Sequence, residues 1–159
     1  MTSVSTPLLY DDIDRHVALA GGIDRAATPI GMYLAWCVNL SLVSEELLAT
    51  ADREVLRVKL REITGAELLI KGCHGRLSSE HLTPAGRDFT TRRYPEYLAE
   101  YARTFAVAPD EIYGVANTWD NYDRVAPRLT RWLLGDPPDR SHDAHERRRW
   151  WQRFLSPKR

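Results

Sequence analysis

From Thr28 to Leu48 the chain reads TPIGMYLAWCVNLSLVSEELL, the one stretch in which apolar residues cover nearly every face of a helix. A helix that is hydrophobic all round cannot lie against water, so this segment is expected to be the buried shaft on which other elements pack. Trp36, at its middle, is expected to be fully enclosed. The chain has 159 residues and is 43% hydrophobic, enough for one core without disulfide or metal staples.

The rest of the chain is punctuated for helices. Thr28-Pro29 has the form of an N-cap followed by proline at the first helical position, and Ser44 precedes two glutamates where a helix dipole favours acid. Between Ala51 and Ile63, Leu56, Leu60 and Ile63 share one face, which predicts an amphipathic surface helix with that face inward. Thr64-Gly65-Ala66-Glu67 matches a capping box and opens a short helix closed by Gly72. Thr83-Pro84 is a further start signal, and Tyr94, Tyr97, Leu98, Tyr101 and Phe105 form an aromatic stripe over a helix from Pro95 to Ala106. Asn117 or Thr118 caps the next helix, with Tyr122, Ala126, Leu129 and Leu133 inward and a kink at Pro127.

Sustained alternation is lacking, and Glu111 to Val115 is the one short candidate for extended structure. The expected fold is therefore all-α, a compact bundle-like domain over residues 1–135. Gly135-Asp136-Pro137-Pro138-Asp139 breaks the chain, and residues 136–159 are expected to form a linker and an appended basic, aromatic helix.

With 22 basic and 22 acidic residues there is no global field to draw the chain onto nucleic acid or an anionic membrane, and any electrostatic partner must meet a local patch. Two cysteines do not make a disulfide framework, the N-terminus lacks the pattern of a signal peptide, and the apolar runs are too interrupted to span a bilayer. A soluble, cytoplasmic protein is expected, with neither membrane nor nucleic acid as partner.

Tyr10-Asp11-Asp12 with His16, the run Gly31-Met32-Tyr33-Leu34-Ala35-Trp36-Cys37-Val38-Asn39, Leu42 to Leu47, Arg61-Glu62-Ile63-Thr64-Gly65, and Thr118-Trp119-Asp120-Asn121-Tyr122-Asp123 together resemble a family of bacterial proteins of unknown function. The resemblance runs from Tyr10 to Trp132 and carries no assigned active site. It implies a small cytosolic protein, sometimes encoded near toxin systems, with an immunity or other interaction role. Arg15 stands where that family often has tryptophan before the histidine.

Two polar constellations are the candidate partner-binding residues: Asp11, Asp12, Asp14 and His16, and Trp119, Asp120 and Asp123. Carboxylates with an imidazole suit a cation or acid/base chemistry, yet the spacing fits no metal motif. The plain alternative is that an aspartate caps a turn and His16 bonds a carboxylate. The second cluster puts two carboxylates three residues apart beside two aromatics, suited to receiving basic side chains of a partner. Its plain alternative is helix-end charge with Trp119 and Tyr122 in the core.

Cys73, His74, His81 and Cys37 are irregularly spaced for zinc, and Cys37 is read as core filling with an inert thiol. Arg147 to Phe154 interleaves arginine with aromatics, read as a helix that lays its apolar side on the domain or a twin subunit. Phosphate loops, nucleophile elbows and metalloprotease motifs are missing from the chain, and no cofactor or metal is expected. The leading expectation is a non-enzymatic protein-binding protein of the bacterial immunity type, with a cognate toxin as partner. The rival readings are a small hydrolase or transferase using the Asp/His cluster, and a helical regulator or adaptor.

Overall fold

The computed structural model describes residues 5–136, and the basic, aromatic helix expected beyond Gly135 lies outside them. In chain order the elements are β1 (Leu9–Asp12), a 3-10 turn (Ile13–Arg15), α1 (Val17–Ala20), α2 (Ile23–Asn39), α3 (Glu45–Thr50), α4 (Asp52–Lys59) and α5 (Gly65–Gly72). They continue with β2 (Arg76–Ser78), a 3-10 turn (Ser79–His81), α6 (Pro84–Phe105), a 3-10 turn (Pro109–Gly114) and α7 (Trp119–Leu133). The domain is mostly helical rather than strictly all-α, because β1 and β2 pair antiparallel. At four and three residues they are too short for an alternating pattern to be visible in the sequence. Among the described residues no helix is long and apolar enough to cross a membrane.

The α2 helix is the shaft. Every residue from Ala26 to Val38 is buried, and Trp36 is wholly enclosed, its indole nitrogen donating to Thr130 Oγ1 at 3.1 Å. The α5 helix crosses it so closely that a Cβ on Gly65 would collide with the Gly31 carbonyl and one on Gly31 with the Ala66 backbone. Only glycine permits that approach, so the two backbones touch without intervening side chains. On another side Tyr33 meets Tyr94 and Tyr97 at centroid distances of 4.9 and 5.0 Å, joining α2 to the α6 stripe.

Several expected boundaries move. The α2 helix starts after Gly22, so Thr28-Pro29 is inside it rather than at its start. Proline there removes one backbone bond, but packing on every side holds the helix, Thr28 Oγ1 donates to the Asp24 carbonyl, and Tyr97 donates to that of Pro29 at 2.6 Å. The α6 helix likewise runs unbroken through Pro95 from the Thr83 cap. The caps at Ser44, Thr64 and Thr118 form, each side chain accepting from the backbone N–H three residues on. Glu111 to Val115 is not extended but belongs mostly to a 3-10 turn. On α7 the inward residues are Tyr122, Val125, Leu129 and Trp132, a face rotated from the expected one.

The α4 face also differs from expectation. Val55 and Val58 point inward, while Leu56 and Leu60 are 55% and 60% exposed. The helix ends in a Schellman motif: Arg61 N–H donates to the Val58 carbonyl and Glu62 N–H to that of Arg57, both at 2.9 Å. Arg61 therefore sits at φ 59°, in the left-handed conformation usually given to glycine. Ser41 and Ala106 close α2 and α6 in the same way.

Candidate functional site

The first polar constellation folds inward. A register irregularity at Tyr10 interrupts the β1–β2 ladder and leaves Asp11 opposite the buried Leu77. Asp11 is 3% exposed and His16, just past the 3-10 turn, is 5% exposed. The Asp11 carboxylate takes His16 Nε2 at 2.7 Å and Asp12 N–H at 2.9 Å on one oxygen, and Tyr94 O–H at 2.5 Å on the other. His16 Nδ1 lies 2.6 Å from the Tyr113 hydroxyl. In the tautomer that donates from Nε2 to the carboxylate, Nδ1 accepts from the Tyr113 hydroxyl.

This network gathers β1, the start of α1, α6 and the Pro109–Gly114 turn around one buried carboxylate. Burial, strengthened at Tyr94 by the adjacent Asp11 charge, holds the Tyr94 and Tyr113 phenols well above their usual ionisation range. Beside it a crevice lined by His16, Ala26, Pro29, Ile30, Leu98 and Tyr113 is too tight to hold a water molecule. The order carboxylate, imidazole, hydroxyl is that of a base oriented by a third group, here closed off from solvent.

The neighbouring acids do not join it. Asp12 caps the 3-10 turn by accepting from Arg15 N–H at 2.9 Å, and Asp14 is exposed. Asp11 and His16 thus present almost no surface to a partner, whereas Asp12 is partly and Asp14 fully accessible.

The second constellation is a surface clasp. Arg61 forms a two-bond fork with Asp123, at 2.9 and 2.6 Å, and its guanidinium lies 4.7 Å from the Trp119 ring centre and 5.8 Å from that of Tyr122. Trp119 and Tyr122 meet edge to face at 4.9 Å, and Asn39 donates to the Tyr122 hydroxyl at 2.7 Å. Tyr122 is buried, Trp119 half-buried, and Asp120 is exposed in the first turn of α7. The Arg61 hydrogen bonds hold the Asp123 carboxyl below its ordinary range. Asp123 is thus engaged by a cation of its own chain. That Arg61, Tyr94 and Tyr113 belong to these clusters escaped sequence reasoning because their partners stand 62, 83 and 97 residues away.

Neither cysteine is reactive. Cys37 and Cys73 are free, buried thiols, and burial pushes Cys73 up to about 12. Among the described residues no three His, Cys, Asp or Glu side chains gather to hold a metal. His81 instead accepts the Ser78 N–H at 3.3 Å, and burial lowers its basicity.

No curated protein and no solved structure matches the chain. A family profile described as a domain of unknown function (DUF7832) matches residues 9–115, from β1 through the turn that carries Tyr113. That span contains the whole Asp11, His16, Tyr94 and Tyr113 network and stops before Trp119. As it covers more than half of the sequence, the chain belongs to this family of domains of unknown function.

Proposed function

We propose that the chain is a non-enzymatic, cytoplasmic protein-binding protein, in its finer form a bacterial immunity-type protein that occludes a partner toxin. The observation that carries this reading is the contrast in access. Asp11, His16 and Tyr113 are enclosed in a hydrogen-bonded core network, while α4 displays Leu56, Leu60 and its arginines and the start of α7 displays Asp120 and part of Trp119. Arginine and tryptophan are enriched among the residues that anchor protein interfaces. The test is co-expression with the product of any toxin domain encoded beside the gene, followed by co-purification and a growth-rescue assay. Rescue without a stable complex would reject occlusion as the mechanism.

The second reading, a small hydrolase or transferase, is favoured by the Asp11, His16 and Tyr113 alignment. It requires the Pro109–Gly114 turn to swing off His16 so that a substrate can enter. Turnover of a generic ester or phosphoester panel that disappears in His16→Gln would select it.

A further inference from the structure

The outward face of α4 carries two of the most exposed leucines among the helices, one on the helix and one at its C-cap. Arg53, Leu56, Arg57 and Leu60 stand at spacings of three, four and seven residues from the first, so they form one stripe opposite the inward Val55 and Val58. The two leucines are more than half exposed, and the Arg57 side chain remains 39% exposed while joined to Glu62. Asp52 and Glu54 fall on the flanks of the helix rather than on the stripe. The Schellman turn at Arg61 and its clasp on Asp123 fix the C-terminal end of α4 against α7, so the stripe is presented without added ordering cost.

We propose that this stripe is a docking surface for an acidic amphipathic helix of a protein partner, with apolar side chains over Leu56 and Leu60 and carboxylates toward Arg53 and Arg57. Two leucines left in water on a fixed helix provide the apolar seat, and the flanking arginines choose the sign of the partner. A second copy fits poorly, because an isologous contact would bring two arginines from each stripe together. The proposal rests on the protein-binding reading and specifies its surface and the partner's chemistry.

The test uses the full chain with labelled leucine methyls and a synthetic helical peptide bearing leucines at helical spacing and flanking glutamates. The control is the same peptide with lysines in place of glutamates. Expected are shifts centred on Leu56 and Leu60, affinity for the acidic peptide at least about tenfold above the basic one, and a decline with salt. Leu60→Asp and Leu56→Ser should each weaken binding about tenfold at unchanged melting temperature, and Arg53→Glu should narrow the preference between peptides. Equal affinity for both peptides, no binding, or shifts remote from α4 would overturn the proposal. So would concentration-dependent self-association in sedimentation that Leu60→Asp removes, since the face would then belong to a second copy. A toxin that binds the Leu56→Ser/Leu60→Asp chain as tightly as the original sinks the surface and spares the protein-binding reading. Peptide binding at α4 with no protein partner bound does the reverse.

Discussion

The Asp11 and Asp123 carboxylates each bond a nitrogen base, and each was singled out by its position in an acidic, aromatic cluster. In the fold they are opposites. Asp11 is enclosed, receives donors from three residues, and ties together four elements. Asp123 is half exposed and holds a single arginine from the turn that closes α4. The bonds to a carboxylate are worth little in water, where solvent screens and competes, and much in the core, where each lost partner leaves a buried polar group unsatisfied. Proximity of charges in a sequence therefore does not tell a structural carboxylate from an accessible one. The depth of the backbone that carries it does.

The largest expected effect comes from alkali, which acts most on the buried side and reaches the clasp through the Tyr122 phenol, raised by burial in the same direction. Tyr33, Tyr94, Tyr97, Tyr101 and Tyr113 all have phenols raised by burial. A folded pKa above the unfolded one means full stability below about pH 10 and loss as pH climbs past it, at up to about 1.4 kcal/mol per pH unit for each such tyrosine. Phenolate absorption should therefore rise together with unfolding measured by circular dichroism. Gradual ionisation in an intact fold would show that these rings are open to water.

Next, Asp11→Ala should cost about 3 to 5 kcal/mol in chemical denaturation, because His16, Tyr94 and the Asp12 N–H lose their acceptor. The pair Asp11→Leu/His16→Leu should lose less than the two single changes summed. Strict additivity would mean that the two side chains do not act as a unit.

Two tyrosine-to-phenylalanine changes sharpen the buried half of the comparison. Tyr113→Phe removes the hydroxyl bonded to His16 and should cost about 1 to 3 kcal/mol. Tyr101 is buried and its hydroxyl has no hydrogen-bond partner among the described residues, so Tyr101→Phe should be neutral or raise the melting temperature. A loss as large as that of Tyr113→Phe would show that a water satisfies Tyr101.

The smallest effect belongs to the clasp. A double-mutant cycle of Arg61→Ala and Asp123→Ala should give a coupling of about 0.2 to 1 kcal/mol that shrinks as salt rises. The Asp123 carboxyl is held low by Arg61, so the coupling is present at neutral pH and is lost as pH falls below the usual aspartate range and through the lowered value. Coupling of several kcal/mol that ignores salt would place Asp123 with Asp11 rather than opposite it.

Much of the helical frame was legible. The caps at Ser44, Thr64, Thr83 and Thr118 are chemistry local to three or four residues, so they read directly. The all-round apolar run around Trp36 identified the buried shaft, and the α6 aromatic stripe packs inward as its spacing implied. The α6 end at Ala106 was read, but the ends at Ser41 and Arg61 were less legible, since these residues take the left-handed position where glycine would have marked a stop. Pro29 sits within a helix buried on every side, and Pro95 on the exposed face of α6 beside the buried Tyr94, Tyr97 and Leu98, so in each case packing of the helix outweighs one missing backbone bond.

The candidate sites divide along the same line. Composition and spacing alone established a mostly helical core around Thr28 to Asn39 and drew attention to Asp11, His16, Trp119 and Asp123. Which of these are buried, that Tyr94, Tyr113 and Arg61 complete their clusters, and that α4 turns Leu56 and Leu60 outward were decided by the tertiary fold. Capping and periodicity are set by neighbours along the chain. Burial and pairing depend on groups brought together from dozens of residues away, and on α4 two apolar stripes competed for the core until packing against α2 and α5 selected Val55 and Val58.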